Sequence, residues 1–376
     1  MSATSASRAT VLAQIQRAAH DLGFARVGIC NSSPFVRGEH ALRQWLSAGH
    51  HATMDYMAEH DRGRLETVMP TAASLICVAL AYPGPETASD TVAAYARGAD
   101  YHQVLRERLN RLSASLTKII GHPVHSRACV DSAPLLEREA AMRAGIAFVG
   151  KSTMAIVPDL GSHILLGELV TDVLLPTTPS ARARCGRCTA CLDACPTRAF
   201  PEAFVLDARR CVSYLTIEHK GPIPRDLRAA IGTRIFGCDI CQQACPYNGG
   251  SRSQPGEPAF APRRELTNTT LADILHMGSK PYRRLVARSP LARVSRNQMA
   301  RNAAIALGNG GDPKSVPALA NAAVGHKSPL VRSHATWALG RFTSPQAQAA
   351  LEDALCDNDL SVREEARVAL TTTEEC

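Results

Sequence analysis

Residues 185–200 read CGRCTACLDACPTRAF, and the spacing of their cysteines decides the central part of the chain. The pattern is C-x2-C-x2-C-x3-C followed directly by a proline, and its members are Cys185, Cys188, Cys191, Cys195 and Pro196. Three thiolates two residues apart can bind three corners of one cubane [4Fe-4S] cluster, whereas the longer gap and the proline direct the fourth thiolate away. This spacing predicts an iron-sulfur site that exchanges a ligand with a second cluster.

A second cysteine run provides the ligands for that other cluster. The segment FGCDICQQACPYN at 236–248 again ends its cysteines with a proline, and Cys211 lies upstream of it. Bacterial two-cluster ferredoxins use such runs, and the last cysteine of each run serves the opposite cluster. Reciprocal exchange predicts one cluster held by Cys185, Cys188, Cys191 and Cys245, and another held by Cys195, Cys211, Cys238 and Cys241.

Other uses of these cysteines fit the spacing less well. Two tetrahedral zinc sites would also use eight thiolates, but zinc favours two C-x2-4-C pairs held apart. The C-x3-C-x2-C spacing of radical S-adenosylmethionine enzymes is absent, because Arg198 and Asn248 stand three residues after Cys195 and Cys245. Clusters with full cysteine ligation are predicted to transfer electrons. Most of the remaining cysteines are expected to be small apolar fillers: Cys30, Cys77, Cys129, Cys356 and Cys376.

The bulk composition predicts a multidomain cytoplasmic protein. A chain of 376 residues exceeds one typical core. No apolar run approaches the eighteen residues of a membrane-spanning helix, and the N-terminal residues lack the features of a secretory signal. Thirteen cysteines in a reducing compartment indicate metal or redox chemistry rather than disulfides. The net charge of +8 is compatible with a polyanionic partner but does not require one.

The first 175 residues are predicted to form one domain of helices and strands, of the α+β or α/β class. Gly23 is expected to end a first helix in a left-handed cap. Expected helices span 4–22, 40–48, 101–116 and 134–144. Expected strands span 26–30 and 74–82, with 153–157 and 164–174 paired to each other. Residues 176–250 then form the predicted ferredoxin-like domain.

Residues 251–376 are predicted to be helical and repetitive. WALG, ending at Gly340, repeats IALG, ending at Gly308, after 32 residues, and ARVAL at 366–370 continues the series. Helical pairs at this period are typical of HEAT-like repeats stacked into a short solenoid. Two repeats alone would be marginally stable, so we expect them to pack against the rest of the chain.

A phosphate-loop match in the N-terminal domain is interpreted as coincidental. Residues 145–152 read GIAFVGKS, which fits G-x-x-x-x-G-K-[ST] letter for letter. A true phosphate loop follows a strand and opens a helix. Here a helix is predicted before the match and a strand after it, and the interior of the match is apolar. Nucleotide hydrolysis is therefore not expected.

Several segments of the chain resemble the epoxyqueuosine reductases, which perform the last step of queuosine synthesis in tRNA. The resemblance is carried by VDSAPLLERE at 130–139, GELVTD at 167–172 and both cysteine runs, together with CVSYLTIEHKGPIP at 211–224. Shorter matches are MDYM at 54–57, YARGADYH at 95–102 and RNAAIALGN at 301–309. The resemblance implies cobalamin in the N-terminal domain, two [4Fe-4S] clusters, and reduction of the epoxide of a modified wobble base.

The resemblance also implies roles for individual residues. Asp131 would be the general acid that protonates the leaving oxygen, although Asp and Ser residues before Pro134 could instead cap the following helix. Cobalamin contacts are expected from Arg62 or Arg64, with Asp131 at the same site and further contacts among Lys151, Ser152, Tyr214 and His219. The D-x-H-x-x-G signature of a histidine cobalt ligand is incomplete, because Leu105 follows Asp100 and His102 where glycine is required.

The predicted partners follow from the same resemblance. The substrate would be tRNA carrying epoxyqueuosine, and a basic stretch without acidic residues could follow its phosphates: Lys280, Arg283, Arg284, Arg288, Arg293, Arg296 and Arg301. For any one of these arginines a solvated surface is the simpler interpretation. An electron donor is expected, either an unknown reductase or a flavodoxin or ferredoxin, with no membrane and a monomeric enzyme. The alternatives are a corrinoid reductive dehalogenase and a ferredoxin-like electron carrier.

Overall fold

The computed structural model of the chain describes residues 5–84, 91–249 and 256–373. The chain forms two compact units, each assembled from three segments. The first unit contains Met1–Gly84, Ala99–Ala208 and Ile240–Ala261. The second contains Pro85–Gly98, Arg209–Asp239 and Pro262–Cys376. The predicted domains are consecutive segments, 1–175, 176–250 and 251–376, and that division of the sequence stays a prediction.

The strands of the described segments all belong to the first unit. Their bounds are β1 Arg26–Asn31, β2 Ser74–Ala81, β3 Ser126–Cys129, β4 Phe148–Val149, β5 Ala155–Ile156 and β6 Ile164–Thr171. Four of them form an antiparallel sheet in the order β1-β2-β6-β3, and β4 pairs with β5 in a separate two-stranded ladder.

Helices surround this sheet in the first unit and make up most of the second. Those up to the second cysteine run are α1 Ser5–Asp21, α2 Val36–Ser47, α3 Tyr101–Ile120, α4 Glu137–Arg143, α5 Ala190–Asp193, α6 Val212–Ile217, α7 Arg225–Ile231 and α8 Ile240–Gln243. Those that follow are α9 Arg264–Thr267, α10 Leu271–His276, α11 Ser279–Val286, α12 Arg296–Gly310, α13 Val316–Gly325, α14 Pro329–Leu339, α15 Pro345–Ala354 and α16 Leu360–Thr373.

The sheet is covered by different helices on its two faces because side chains alternate along each strand. Gly167 of β6 faces α3, where an added Cβ would lie 3.2 Å from Leu109 Cδ1. The opposite face packs against α4, whose alanines join the apolar core there. Residues of that face include Cys77 of β2, Cys129 of β3 and Val170 of β6. Both faces are therefore buried, as the apolar sequence of β2 predicts.

Several predicted elements of the first unit are confirmed. Helix α1 and strands β1 and β2 occupy the predicted places, and Gly23 has the left-handed φ of +83°. Helix α2 begins at Val36 rather than 40, and α3 continues to Ile120 rather than 116 because Gly121, in the left-handed conformation, ends it. Helix α4 begins at Glu137, three residues later than predicted.

The predicted pairing of 153–157 with 164–174 is wrong. The first segment contributes β5, which pairs with β4, and the second contributes β6, which lies between β2 and β3. Strand β6 is eight residues long and most of its residues are apolar, so it gains more by pairing on both sides inside the larger sheet. The chain between the two segments closes in a tight turn, where Gly161 has a φ of +83°.

The phosphate-loop match does not form a phosphate loop, as expected from its context. Residues 148–149 and 155–156 are strands β4 and β5, and the lysine and serine lie in the turn between them. Ile146, Ala147 and Phe148 are all buried. No helix begins at this segment, so the N-terminal amides that hold phosphate in such loops are not available.

The leftover cysteines mostly fill the core. Cys30, Cys77 and Cys129 are buried in the cluster beneath α4, as expected for small apolar residues. Cys356 is exposed in the second unit. Cys376 lies outside the described residues.

The helical repeats of the second unit stack through small residues at the predicted period. An added Cβ on Gly308 of α12 would lie 2.7 Å from the Ala338 Cβ of α14. One repeat later, an added Cβ on Gly340 would lie 2.7 Å from the Ala369 Cβ of α16. Glycine lets the helices approach this closely, and the same contact recurs because each repeat packs only on its neighbours. The predicted helical repeats are confirmed.

The first repeat helix also fixes the loop that follows α6. The fully buried Arg301 of α12 donates hydrogen bonds to the carbonyl oxygens of Leu215, His219 and Gly221. Asn302 donates to the carbonyl oxygens of Thr216 and Ile235, both at 2.8 Å. These bonds satisfy backbone carbonyls that would otherwise be buried without partners. The repeats thus pack against other parts of the second unit, as their small number predicts.

In the part of the chain that the structure describes, no helix combines the length and apolar character needed to cross a membrane.

Candidate active site

Four of the predicted cluster ligands lie close together in the first unit. Cys191 is in α5, Cys185 and Cys188 precede that helix, and Cys245 follows α8, which packs on α5. Burial, and then the nearby thiols of Cys185, Cys245 and Cys188, raise the pKa of the Cys191 thiol. Burial raises the pKa of the Cys245 thiol too, and Cys185 and Cys188 add to it. The structure therefore brings together the set predicted for the first cluster.

That these four thiols bind one cluster stays a prediction. Within residues 5–84, 91–249 and 256–373, no three His, Cys, Asp or Glu side chains form a group able to hold a single metal ion. A cubane takes one thiolate at each iron corner, so its ligands are more widely spaced than those of one ion. The second predicted set draws Cys195 and Cys241 from the first unit and Cys211 and Cys238 from the second, and it stays a prediction.

Asp131 lies on the loop between β3 and α4 and does not cap the helix. The N-cap residue of α4 is Leu136, which makes no side-chain capping bond, so the capping role considered for Asp131 is wrong. Asp131 has a φ of +56°, which costs a non-glycine residue free energy unless neighbours hold it there. Its side chain is 52% exposed, which leaves the carboxyl group accessible to a substrate.

His102 is a site residue whose contact with Asp131 the sequence does not reveal. Its Nε2 lies 3.2 Å from Asp131 Oδ2, and its Nδ1 lies 2.7 Å from Asp100 Oδ1. The hydrogen bond to Asp131, and then that to Asp100, raise the pKa of His102 against the opposing effect of burial. The sequence marks His102 through the incomplete cobalt-ligand signature and through the YARGADYH match at 95–102, but neither indicates its contact with Asp131. An imidazole between two carboxylates can pass a proton to Asp131.

The two arginines before β2 differ in their surroundings. Arg62 donates from Nη2 to the Tyr56 carbonyl oxygen at 2.9 Å, while its Nε is buried without a hydrogen-bond partner. Arg64 is exposed, and its Nε lies 3.4 Å from a carboxylate oxygen of Asp61.

Lys151 and Ser152 stand in the turn between β4 and β5. The Lys151 ammonium group donates to the Cys188 carbonyl oxygen at 2.9 Å, which ties this turn to the first cysteine run. Ser152 is buried. Lys151 thus lies beside a predicted cluster ligand, and contact of Lys151 or Ser152 with cobalamin stays a prediction.

Tyr214 lies on α6 and His219 on the loop after it, both in the second unit. Tyr214 is buried, and its ring centroid lies 6.0 Å from that of His219. His219 Nε2 lies 2.8 Å from the Pro222 carbonyl oxygen, and burial lowers the pKa of His219. His219 therefore favours the neutral imidazole, and its Nε2–H donates to Pro222.

Comparison with known proteins identifies the family. Residues 62–132 match a family described as epoxyqueuosine reductase QueG, and residues 184–248 match a 4Fe-4S double cluster binding domain. Residues 289–371 match HEAT repeats. The epoxyqueuosine reductase of Pseudomonas aeruginosa is 42% identical over 337 residues, which cover 85% of this chain and 91% of that protein.

This chain belongs to the epoxyqueuosine reductase family.

Other family members agree in sequence and fold. The epoxyqueuosine reductase of Escherichia coli K12 is 36% identical over 334 residues, covering 85% of this chain and 86% of that protein. An epoxyqueuosine reductase solved with an epoxyqueuosine-modified tRNA-Tyr stem loop is 29% identical, with a TM-score of 0.88 and coverage of 97% and 99%. The cofactors are those of the family, two [4Fe-4S] clusters and cobalamin.

A second solved relative bears on the aspartate loop. The epoxyqueuosine reductase of Bacillus subtilis is 28% identical, with a TM-score of 0.86 and coverage of 96% and 99%, and its catalytic aspartate loop is swung out of the active site. In that protein, therefore, the loop has at least one position away from the active site.

Proposed function

We propose that this chain reduces epoxyqueuosine to queuosine at the wobble position of tRNA. The observation that carries the proposal is the exposed Asp131 carboxyl group beside His102, in a chain that belongs to the epoxyqueuosine reductase family. Asp131 lies on a loop, like the catalytic aspartate of the Bacillus subtilis relative. A further relative of the same fold binds an epoxyqueuosine-modified stem loop.

The reaction removes the epoxide oxygen as water and leaves a carbon-carbon double bond, so it consumes two electrons and two protons. When bound, cobalamin supplies reducing equivalents at the epoxide carbon, and the clusters resupply them one electron at a time. Asp131 donates a proton to the leaving oxygen. His102 then returns a proton to Asp131 through the contact at 3.2 Å, with Asp100 stabilising the charged imidazole.

Arg62 is the better candidate than Arg64 for the cobalamin contact. Its buried Nε–H has no partner in the described part of the chain, and an unsatisfied buried donor costs about 1–3 kcal/mol. An amide or phosphate oxygen of the cofactor would satisfy it. Arg64 already has Asp61 as a partner and lies in solvent.

A basic surface on α11 and the residues after it fits the tRNA phosphates. Lys280, Arg283, Arg284 and Arg288 are exposed, and none forms an ion pair within the described segments. We call these four side chains the basic face. Two other members of the predicted stretch do not belong to it, because Arg293 pairs with Glu218 and Arg301 is fully buried. Burial and the neighbouring Arg228 lower the pKa of Arg301 to about 9.

The first cysteine run offers a docking place for an acidic one-electron carrier such as a flavodoxin or ferredoxin. Arg182, Arg184 and Arg187 are exposed beside the exposed Cys188. None of the three forms an ion pair with a described residue. Opposite charges accelerate the encounter of electron-transfer partners, so reduction by an acidic carrier should slow steeply as salt is added.

Turnover of a defined substrate tests the proposal. The chain is purified without oxygen, loaded with clusters and cobalamin, and given an epoxyqueuosine-containing tRNA stem loop with a low-potential reductant. Conversion is followed by mass spectrometry of the nucleosides, and omission of cobalamin serves as the control. Queuosine should form only in the complete mixture. Absence of product from the fully loaded protein would overturn the proposal.

The alternative functions are not favoured. A ferredoxin-like carrier would need no acid beside a positioned histidine, and a reductive dehalogenase would need no basic face. Both are still addressed by the same assay, since a carrier would form no queuosine.

A further inference from the structure

We infer that Glu137 and Glu168 form a buried carboxyl pair that holds the Asp131 loop in its working conformation. Glu137 is a positioning residue that binds the loop directly, and Glu168 positions Glu137. The inference deepens the proposed function and rests on it for the identity of the reaction. The fold brings together the two segments that carry these glutamates: VDSAPLLERE, which enters α4, and GELVTD, most of which belongs to β6.

Glu168 stands where the fold requires an apolar side chain. In β6 the residues at even positions face α4, and Ile164, Leu166 and Val170 pack in the apolar core there. Glu168 shares this row and is fully buried, directly opposite Cys77 of β2 and Cys129 of β3. A carboxyl group buried among apolar side chains costs stability, so such a departure from the pattern points to a functional role.

Neither carboxyl oxygen of Glu168 has a hydrogen-bond partner among the described residues. The carboxyl group of Glu137, on the first turn of α4, interacts with that of Glu168 closely enough that each affects the ionisation of the other. A single proton shared by the two carboxyl groups would give Glu168 its missing partner. It would also anchor the Glu137 side chain against the sheet.

Glu137 connects this pair to the catalytic loop. Its Oε1 accepts a hydrogen bond from the backbone N–H of Asp131 at 2.6 Å. Asp131 has the left-handed φ of +56°, a strained conformation that a residue with a side chain keeps only when its neighbours hold it. The bond from Glu137 fixes the peptide that carries the strain, and so sets the direction of the Asp131 carboxyl group toward His102.

The ionisation of the pair supports a shared proton near neutral pH. Burial, and then the charge of Asp131, raise the pKa of Glu137 to about 7. Burial, and then Glu137, raise the pKa of Glu168 well above its ordinary value. Raised pKa values on both carboxyl groups favour a pair that retains a proton near neutral pH. The charged and titratable groups that face the pair from the packed elements are Asp131, Arg138, Cys30, Cys77 and Cys129.

Substitutions at Glu137 test the direct link. Glu137→Ala removes the acceptor, and kcat should fall by about 100-fold with the KM for tRNA changed less than about twofold, since the loss is one of orientation. Glu137→Gln keeps an acceptor oxygen and should retain kcat within about tenfold. Glu139→Ala is the matched control, because Glu139 lies on the same helix but faces Gly38 of α2. It should leave kcat unchanged.

Amide hydrogen exchange provides a readout that does not depend on turnover. The peptide covering 130–136 should exchange at least about tenfold faster in Glu137→Ala than in the wild type or in Glu139→Ala, because the bonded N–H of Asp131 is released. Unchanged exchange of this peptide would overturn the inference. The measurement is made on the full chain and needs no tRNA.

Glu168→Met separates a positioning role from a structural one. Methionine fills the same unbranched shape without a buried carboxyl group, so thermal stability should stay the same or rise. If Glu168 positions Glu137, kcat should nevertheless fall at least about tenfold and exchange at 130–136 should accelerate. Full activity in this variant would overturn the role of Glu168. Wild-type protein without turnover would instead overturn the proposed reaction, while the exchange experiment would still decide the inference.

Discussion

At the scale of the residue, the role proposed for Asp131 depends on neighbours that are distant in sequence. His102 lies 29 positions earlier on α3, and its imidazole faces the Asp131 carboxyl group. The backbone N–H of the same residue is held from the other side by Glu137. One aspartate thus receives a hydrogen-bonding partner for its side chain and another for its backbone, which is what a positioned general acid requires.

Replacement of Asp131 by asparagine should remove the acid while keeping the shape of the loop. We expect kcat to fall by about 10²–10⁴-fold, the range typical of a general acid, with cobalamin and tRNA binding retained. Single-turnover conversion of an epoxyqueuosine stem loop measures the loss, and fluorescence binding of the stem loop provides the control. Full activity of Asp131→Asn would remove this residue from the mechanism.

His102 should give the reaction an alkaline limb. Because its pKa is raised above the usual 6.5, the charged imidazole and the stabilisation it brings are fully present below 6.5. They are lost as pH rises through the raised pKa. A plot of kcat against pH should therefore decline above that value, and His102→Gln should lower kcat by about 10–100-fold and flatten the decline. His122→Gln, at an exposed histidine of the same unit, should leave the profile unchanged.

Loss of Cys245 should damage the cluster that the first three cysteines of the first run are predicted to bind. The thiol of this residue interacts with Cys185 and Cys188, so Cys245→Ser and Cys185→Ser should affect one and the same cluster. Iron content of protein reconstituted without oxygen should fall from about eight to about four atoms per chain in each variant and in the double variant. A fall to zero only in the double variant would contradict the ligand exchange.

At the scale of the element, the repeat helices depend on close contact at glycine. Gly308 lies against Ala338 of the next repeat, whereas Gly310, near the end of the same helix, has open space around it. The spacing of the IALG and WALG segments is therefore a packing requirement rather than a sequence coincidence. Arg301 and Asn302 on the same helix add bonds to the loop after α6.

The same substitution at these two glycines should have opposite effects. In Gly308→Ala the new Cβ would lie 2.7 Å from Ala338 Cβ, and the overpacking should lower the free energy of unfolding by about 1–3 kcal/mol. In Gly310→Ala the new Cβ meets nothing within 4 Å, so stability should be unchanged or rise by up to about 1 kcal/mol. Denaturant unfolding of the full chain compares them. Equal stabilities would contradict the proposed packing.

At the scale of the whole molecule, the basic face is the surface that we propose for tRNA. The net charge of +8 alone does not indicate a partner. The four side chains of the basic face are exposed and form no ion pair in the described part of the chain: Lys280, Arg283, Arg284 and Arg288. Arg301 of the same sequence stretch is instead buried, so it cannot contact tRNA from the surface.

Neutralising the basic face should weaken tRNA binding without changing the chemistry. A triple substitution of Arg283, Arg284 and Arg288 by alanine should raise the KM for tRNA at least about tenfold, with kcat nearly unchanged. The slope of log affinity against log salt should decrease by about two to three, roughly one for each lost phosphate contact. Lys314→Ala with Lys327→Ala, two exposed lysines of the same unit, is the control. An unchanged salt slope would contradict the assignment of this face.

The sequence by itself determined the features that depend on local spacing. The cysteine runs, the helical repeat period, α1, β1 and β2 follow from residues within a few turns of one another, and the family follows from the same motifs. The context that excludes a phosphate loop at 145–152 is also local, because the sequence predicts the helix before this segment and the strand after it.

Only the tertiary structure decided which distant residues meet. Strand β6 takes β2 and β3 as partners, Arg301 turns inward, and Asp131 faces His102 while Glu137 holds its backbone. The burial of Glu168 beneath α4 likewise depends on the tertiary structure. The physical reason is that hydrogen bonds, burial and pKa values depend on distances across the fold, and these distances are set by how the sheet and helices pack rather than by separation along the chain.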